Sequence, residues 1–228
     1  MRVRIAFIAV AMIALAAASA DAGVIRGMLW MNNPPRTAKA RAAAQRKHPA
    51  RSQRGVNQAV VYIEQVPDGV EDRLANPTTP MWLFHKRPAP RTPRIIERNR
   101  QFNPRVVAVP AGMHVEFQNL DRIYHSAFSV SGANRFKLGA NPPGRVDSVQ
   151  FDRAGVINLF CDIHSDEFGY VIVTPNHVMV RPDAFGAFRL PKLPPGSYTL
   201  RVWHPTRGEL KREVEVPKHG NLWVDLRY

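Results

Sequence analysis

Cysteine is almost absent from this chain, since Cys161 is the only one among its 228 residues. One cysteine cannot form an internal disulfide, so no intramolecular cross-link supports the fold. In an oxidising compartment a lone thiol is a liability unless it is buried or bound to a metal. Cys161 therefore needs an explanation, and a buried inert thiol is the alternative to a functional one.

Long apolar runs are absent after the N-terminus. The single such run, residues 5–18, follows Arg2 and Arg4 and precedes two overlapping A-x-A patterns at residues 18–22. This order is typical of a secretory signal peptide, here residues 1–22, and its apolar part is short for a membrane span. We therefore predict an exported, periplasmic protein, with an N-terminal membrane anchor as the alternative.

Acidic residues are few, with 18 Asp and Glu against 32 Lys and Arg, for a net charge of +14. Basic side chains are concentrated in residues 36–54 and 86–105. A cytoplasmic protein with this charge would suggest nucleic acid, but for an exported protein we expect none. We expect instead an acidic redox protein, cell-wall polymer or peripheral contact with an anionic membrane surface. A solvated basic surface is the alternative.

No segment carries a convincing amphipathic helix pattern. Short β-branched runs separated by Gly, Pro and Asn turns fill residues 94–174, and their spacing predicts an antiparallel sandwich or barrel. Five further strands in residues 177–227 make a thin core for independent stability. We predict that they pair with strands at residues 24–31, interrupted by Gly27, and 59–64.

Three side chains able to bind metal lie on one predicted loop between two strands. Cys161 is followed by His164 after three residues and by Glu167 after three more. A thiolate and an imidazole on one tight loop are the soft and borderline ligands that copper or zinc prefers. The loop alone lacks the remaining ligands, so they must come from elsewhere in the chain.

Residues 94–174 resemble a cupredoxin, the blue-copper domain. The matching segments come in order and end in the Cys-x-x-His loop: Gln101–Pro104, Val109–Gly112, Val115–Asn119, His125, Phe151–Gly155, and Cys161 to His164 followed by Gly169–Val173. The resemblance implies an all-β fold, a Greek-key sandwich, in which His125, Cys161 and His164 are equatorial ligands of one type 1-like copper ion. A sandwich can bring two such loops to one pole, and a site that changes little between oxidation states favours electron transfer.

The fourth ligand position departs from the cupredoxin pattern. Relatives of this type usually have a methionine three residues after the loop histidine, where this chain has Glu167. A coordinating carboxylate would favour Cu(II) and lower the reduction potential. Alternatively, Glu167 points to solvent beside Asp162 and Asp166 and leaves three ligands, or the site no longer binds copper. We also expect Asn119 to brace the site through hydrogen bonds.

The C-terminal segment resembles the carboxypeptidase-regulatory-like (transthyretin-like) β-sandwich, on residues 183–190, 193–200 and 202–205. The resemblance implies that the cupredoxin is inserted into this second, small sandwich. We therefore divide the chain into these parts: signal peptide 1–22, N-terminal strands 23–66 with a basic loop at 36–55, proline-rich linker 67–93, cupredoxin domain 94–175 and second sandwich 176–228.

Together these features predict an exported mononuclear copper protein that carries single electrons between periplasmic redox partners. One alternative is copper sequestration or delivery, and another is a metal-free binding scaffold. We do not expect an enzyme, because the sequence offers no nucleophile–base–acid set, no second copper-ligand cluster and no nucleotide loop.

Overall fold

Strands dominate the computed structural model, which describes residues 22–31, 53, 55–71 and 92–228, and this confirms the all-β fold class. The predicted signal peptide, most of the predicted basic loop and most of the predicted linker lie outside the described residues. No helix in the described part is both long and apolar enough to span a membrane. The strands are β1 (Gly23–Trp30), β2 (Val60–Ile63), β3 (Arg94–Glu97), β4 (Phe102–Asn103), β5 (Val106–Pro110), β6 (Met113–Asn119), β7 (Ala127–Ser129), β8 (Phe136–Lys137), β9 (Val146–Phe151), β10 (Gly155–Cys161), β11 (Phe168–Thr174), β12 (Met179–Val180), β13 (Ala187–Leu193), β14 (Gly196–His204), β15 (Gly208–Val216) and β16 (Asn221–Arg227).

Strands β3 to β11 form two facing sheets, which we call the central sandwich. One sheet has the order β4-β3-β6-β9 and the other β5-β11-β10-β7-β8. Residues alternate along β10, where Ile157 and Leu159 are buried and their neighbours Val156 and Phe160 are exposed. This period of two matches a sheet with one face on a core, and Phe117 is among the side chains that fill the space between the sheets.

The two ends of the chain form a second unit, which we call the terminal sandwich. Its sheets have the orders β13-β1-β16 and β12-β2-β14-β15, so β1 and β2 each lie between strands from the C-terminal part. Without them the C-terminal strands would lack the centre of both sheets and much of the shared core. The domain boundaries and the carboxypeptidase-regulatory-like resemblance of this unit stay predictions.

The two sandwiches contact each other through apolar side chains of β5 and β11 on one side and β2 and β14 on the other. Val106 and Ile172 pack with Val60 and Trp203, and the rings of Tyr170 and Trp203 are 5.0 Å apart. As a result β11, which follows the Cys161–Glu167 loop, is buried along most of its length. The strand that leaves the site is therefore held on both faces.

The sequence pattern predicts an antiparallel sandwich, but β3 pairs with β6 in parallel and β5 pairs with β11 in parallel. Two short strands are also not indicated by the pattern. Strands β4 and β8 have two residues each, too few to produce a recognisable alternation. Strand β7 begins at Ala127, so His125 lies in the loop before it. His125 makes a single antiparallel bridge to Asn141.

Gly27 was expected to interrupt the first strand, but β1 runs through it without a break. A Cβ atom at this position would lie 2.0 Å from the carbonyl oxygen of Val224 and 2.7 Å from the ring of Phe188. Both neighbours belong to strands paired with β1. The glycine therefore marks a close approach of three strands.

Gly27→Ala is expected to lower the free energy of unfolding by about 3 kcal/mol, because a backbone oxygen cannot move aside cheaply. Gly208→Ala is the matched control in the same sandwich, since a Cβ there meets no atom within 4 Å. It adds only the strain of a positive φ, about 1 kcal/mol. Urea denaturation measures both, and equal losses would contradict the packing explanation.

Candidate metal centre

The four residues singled out in the sequence come together at one end of the central sandwich. Cys161 is the last residue of β10, and His164 and Glu167 lie on the loop that leads into β11. The antiparallel pairing of β7 with β10 sets Ala127 opposite Cys161, which brings the loop carrying His125 beside the thiol. The two ligand loops are therefore joined by strand pairing.

One donor atom from each of these residues, His125, Cys161, His164 and Glu167, lies within 4.8 Å of the other three. Cys161 Sγ is 3.6 Å from His164 Nδ1 and 4.0 Å from His125 Nδ1. Glu167 Oε2 is 2.7 Å from His125 Nδ1 and 3.4 Å from His164 Nδ1. Three of the four residues are buried, and His164 is half-buried.

Glu167 is turned inward toward the other donors. The residue is 1% exposed, its backbone N–H donates to the His164 carbonyl and its own carbonyl accepts from the Cys161 N–H. The flanking carboxylates are exposed instead, with Asp162 paired to Lys137 and Asp166 paired to Arg100. Of the orientations left open by the sequence, the structure has Glu167 facing the donor set.

The donor set fits copper or zinc in its chemistry. His125 faces a carboxylate oxygen at each ring nitrogen, Glu167 at Nδ1 and Asp121 at Nε2. A neutral imidazole has only one N–H, so a neutral ring cannot donate to both. The second oxygen of Glu167 is buried without a partner, which is costly for a carboxylate. A cation held by two imidazoles, a thiolate and a carboxylate would relieve both problems.

The thiol of Cys161 lies among backbone donors. Burial raises the pKa of Cys161, while the backbone N–H groups of Ser126, Ile163 and His164 act against that rise. The Ser126 N–H is 3.4 Å from Sγ. These donors would stabilise a metal-bound thiolate, because a metal displaces the thiol proton.

The predicted brace, Asn119, forms its hydrogen bonds with the loop before His125 and with Asn141, not with the His125 ring. Its side-chain amide donates to the carbonyls of Ile123 and Asn141, and its oxygen accepts from the Asp121 N–H, so it shapes the loop. The direct contact comes from Asp121, which the sequence reasoning missed. A carboxylate four residues before His125 was the available signal, but in a loop such spacing does not predict a contact.

Glu97, at the end of β3, is a second group that the sequence reasoning missed. Its carboxylate is fully buried, accepts a hydrogen bond from Asn141 Nδ2 and keeps one oxygen without a partner. Burial raises the pKa of Glu97 to about 7. The charges of Glu167 and Asp147 also raise it, while His125 and the Asn141 hydrogen bond lower it.

The raised pKa of Glu97 predicts that stability falls as pH rises. The carboxyl ionises near 4.5 in the unfolded chain and near 7 in the folded one, so between these values the folded protein holds the extra proton. The contribution is full below the lower value and is lost as pH rises through the upper one, by up to about 3 kcal/mol.

Urea unfolding of the metal-free protein across this pH range measures the effect against Glu97→Gln, which cannot titrate. The stability of the wild type relative to the variant should decline with rising pH. If the free energies of unfolding of the two proteins change with pH in the same way, the pKa of Glu97 is not raised in the folded protein.

No protein-family model and no curated protein matches the sequence. Solved structures match part of it. A copper-containing nitrite reductase from Thermus scotoductus is 24% identical over 39% of this chain and 23% of its own, with a TM-score of 0.36. The match thus spans about a quarter of that enzyme.

Two smaller proteins match more of their own length. A purple cupredoxin from Nitrosopumilus maritimus is 22% identical over 36% of this chain and 99% of its own, with a TM-score of 0.34. An oxidised amicyanin variant is 20% identical over 36% and 81%, with a TM-score of 0.34. At this level of similarity the neighbours are cupredoxin-like in fold and carry no functional argument.

Proposed function

We propose that this protein binds one copper ion through His125, Cys161, His164 and Glu167 and carries single electrons. The observation that carries the proposal is the convergence of two imidazole nitrogens, a thiol sulfur and a carboxylate oxygen within 4.8 Å. Soft thiolate and borderline imidazole ligands favour copper or zinc over harder cations. Bound copper would supply a one-electron couple between Cu(I) and Cu(II).

The protein frame suits a site whose donors move little. Cys161 is held by its pairing with Ala127 on β7, and His125 is held by two backbone hydrogen bonds with Asn141. Residues fixed by strand pairing keep donor atoms in place better than residues on free loops. A donor set that is already assembled limits the rearrangement that accompanies a change of oxidation state.

Access to the donor set lies on the side of His164, the least buried of the four. Exposed apolar side chains accompany it on both ligand loops, with Ile163 on one and Ile123 and Tyr124 on the other. An apolar surface next to a half-buried ligand suits transient contact with a redox protein. We propose that an exported redox protein docks there, and the excess of basic residues favours an acidic one.

Copper storage or delivery is a second candidate, favoured by one observation. Oε2 of Glu167 faces the donor set, where the cupredoxin pattern has a thioether. A hard oxygen ligand stabilises Cu(II) relative to Cu(I). Such a site would hold one oxidation state firmly and exchange electrons poorly.

Copper-loaded protein is expected to show an intense thiolate-to-copper absorption band in the visible. Cys161→Ala should remove the band, because no other thiol is present. His177→Ala is the matched control, a half-buried histidine paired with Glu71 and separate from the donor set. A colourless copper-loaded wild type, with Cys161→Ala binding copper equally well, would refute the proposal.

Glu167→Met is expected to raise the reduction potential, because a thioether favours Cu(I) more than a carboxylate does. Voltammetry of the wild type and the variant measures the shift and also separates the two candidate functions. A reversible couple in the wild type supports the electron carrier. Tight Cu(II) binding without an accessible couple would support storage or delivery instead, and an unchanged potential in the variant would show that Glu167 does not reach the metal.

A further inference from the structure

Among the described residues, Asp121 and Glu167 are the carboxylates that form hydrogen bonds or ion pairs with a ligand imidazole. Asp121 Oδ2 lies 3.0 Å from His125 Nε2, on the opposite side of the ring from the donor set. The side chain of Asp121 is 14% exposed, and that of His125 is fully buried. The contact is therefore well shielded from water, where a hydrogen bond to a carboxylate is strongest.

The carboxylate of Asp121 is itself fixed by a turn from another part of the chain. The backbone N–H of Asn99 donates to Oδ1 at 2.8 Å, and that of Arg100 donates to Oδ2 at 3.0 Å. These two residues are the centre of the tight hairpin between β3 and β4, which is closed by hydrogen bonds between Arg98 and Gln101.

The geometry of this hairpin explains why both donors point the same way. Asn99 and Arg100 have φ values of 55° and 57°, the left-handed conformation that a two-residue hairpin of type I′ requires. Glycine adopts it freely, whereas other residues do so at a cost. Here two successive N–H groups face one anion, an arrangement that binds carboxylates.

We infer that Asp121 is the positioning residue of His125, accepting the Nε2 proton and thereby leaving the Nδ1 lone pair free for the metal. This inference rests on the proposed function, because it assigns His125 as a ligand. The ionised carboxylate of Asp121 has no proton to donate, and two backbone N–H groups already donate to it. Its contact with His125 is therefore a hydrogen bond that the imidazole donates from Nε2. Metal-binding histidines commonly have such a partner, which fixes the ring and raises its basicity.

The backbone around His125 prevents the ring from escaping this arrangement. The N–H and carbonyl of His125 both bond to Asn141, and Asn119 ties the intervening loop to the same residue. Only the side-chain torsions remain free, and Asp121 and Glu167 restrain them from opposite sides. An electron-rich imidazole held in this way stabilises Cu(II), so Asp121 should lower the reduction potential.

The test uses Asp121→Asn and Asp121→Ala in the full chain. Both variants are expected to lose about 10- to 100-fold in affinity for Cu(II) and to have a higher reduction potential than the wild type. Asparagine keeps the size of the side chain and one acceptor oxygen for the three donors, whereas alanine keeps no acceptor. The loss of affinity should therefore be smaller in Asp121→Asn than in Asp121→Ala. Asp166→Asn is the matched control, because it removes an equal charge from an exposed carboxylate that pairs with Arg100 and is not hydrogen-bonded to His125.

A measurement on the metal-free protein separates this inference from the proposed function. In ¹H–¹⁵N spectra the His125 Nε2–H should exchange slowly in the wild type and in Asp166→Asn, and rapidly in Asp121→Ala. Failure of the wild type to bind copper would overturn the proposed function while leaving this readout intact. Slow exchange in Asp121→Ala, or copper affinity and potential in Asp121→Asn equal to those of the wild type or of the control, would overturn the role of Asp121.

Discussion

The structure depends on the antiparallel pairing of β7 with β10, which ends at Ala127 and Cys161. This pairing joins two loops that are far apart in sequence, one carrying His125 and the other carrying Cys161 to Glu167. It also brings the Ser126 N–H to the sulfur and the Asp162 N–H to the Ser126 carbonyl. Without it the imidazole of His125 would have no fixed relation to the thiol.

Near the paired ends of β7 and β10, the central sandwich buries several polar side chains. Glu97, Asn141 and Glu167 each keep one buried side-chain oxygen without a hydrogen-bond partner. Such groups destabilise a fold unless something compensates for them, and they are concentrated at functional sites. A bound cation would compensate for Glu167, and the pKa of Glu97, raised to about 7, keeps most of this carboxyl neutral below that pH. The rest of the central sandwich supplies the apolar packing that keeps water away.

The sequence predicted the features that have a regular pattern or that depend on a rare residue. Long strands such as β10 alternate with a clear period of two, and a lone cysteine followed by a histidine draws attention by composition alone. It did not predict the partnership of Asp121 with Asn99, or that of Glu97 with Asn141, because these contacts join residues more than twenty positions apart. The inward orientation of Glu167 was one of several alternatives, and only the packed loop distinguishes them.

X-ray absorption at the copper edge of the loaded protein tests the central claim most directly, because it reports the atoms bound to the metal. We expect one sulfur neighbour from Cys161 together with the multiple-scattering signature of the two imidazoles of His125 and His164. A spectrum with only nitrogen and oxygen neighbours, unchanged in Cys161→Ser, would contradict it.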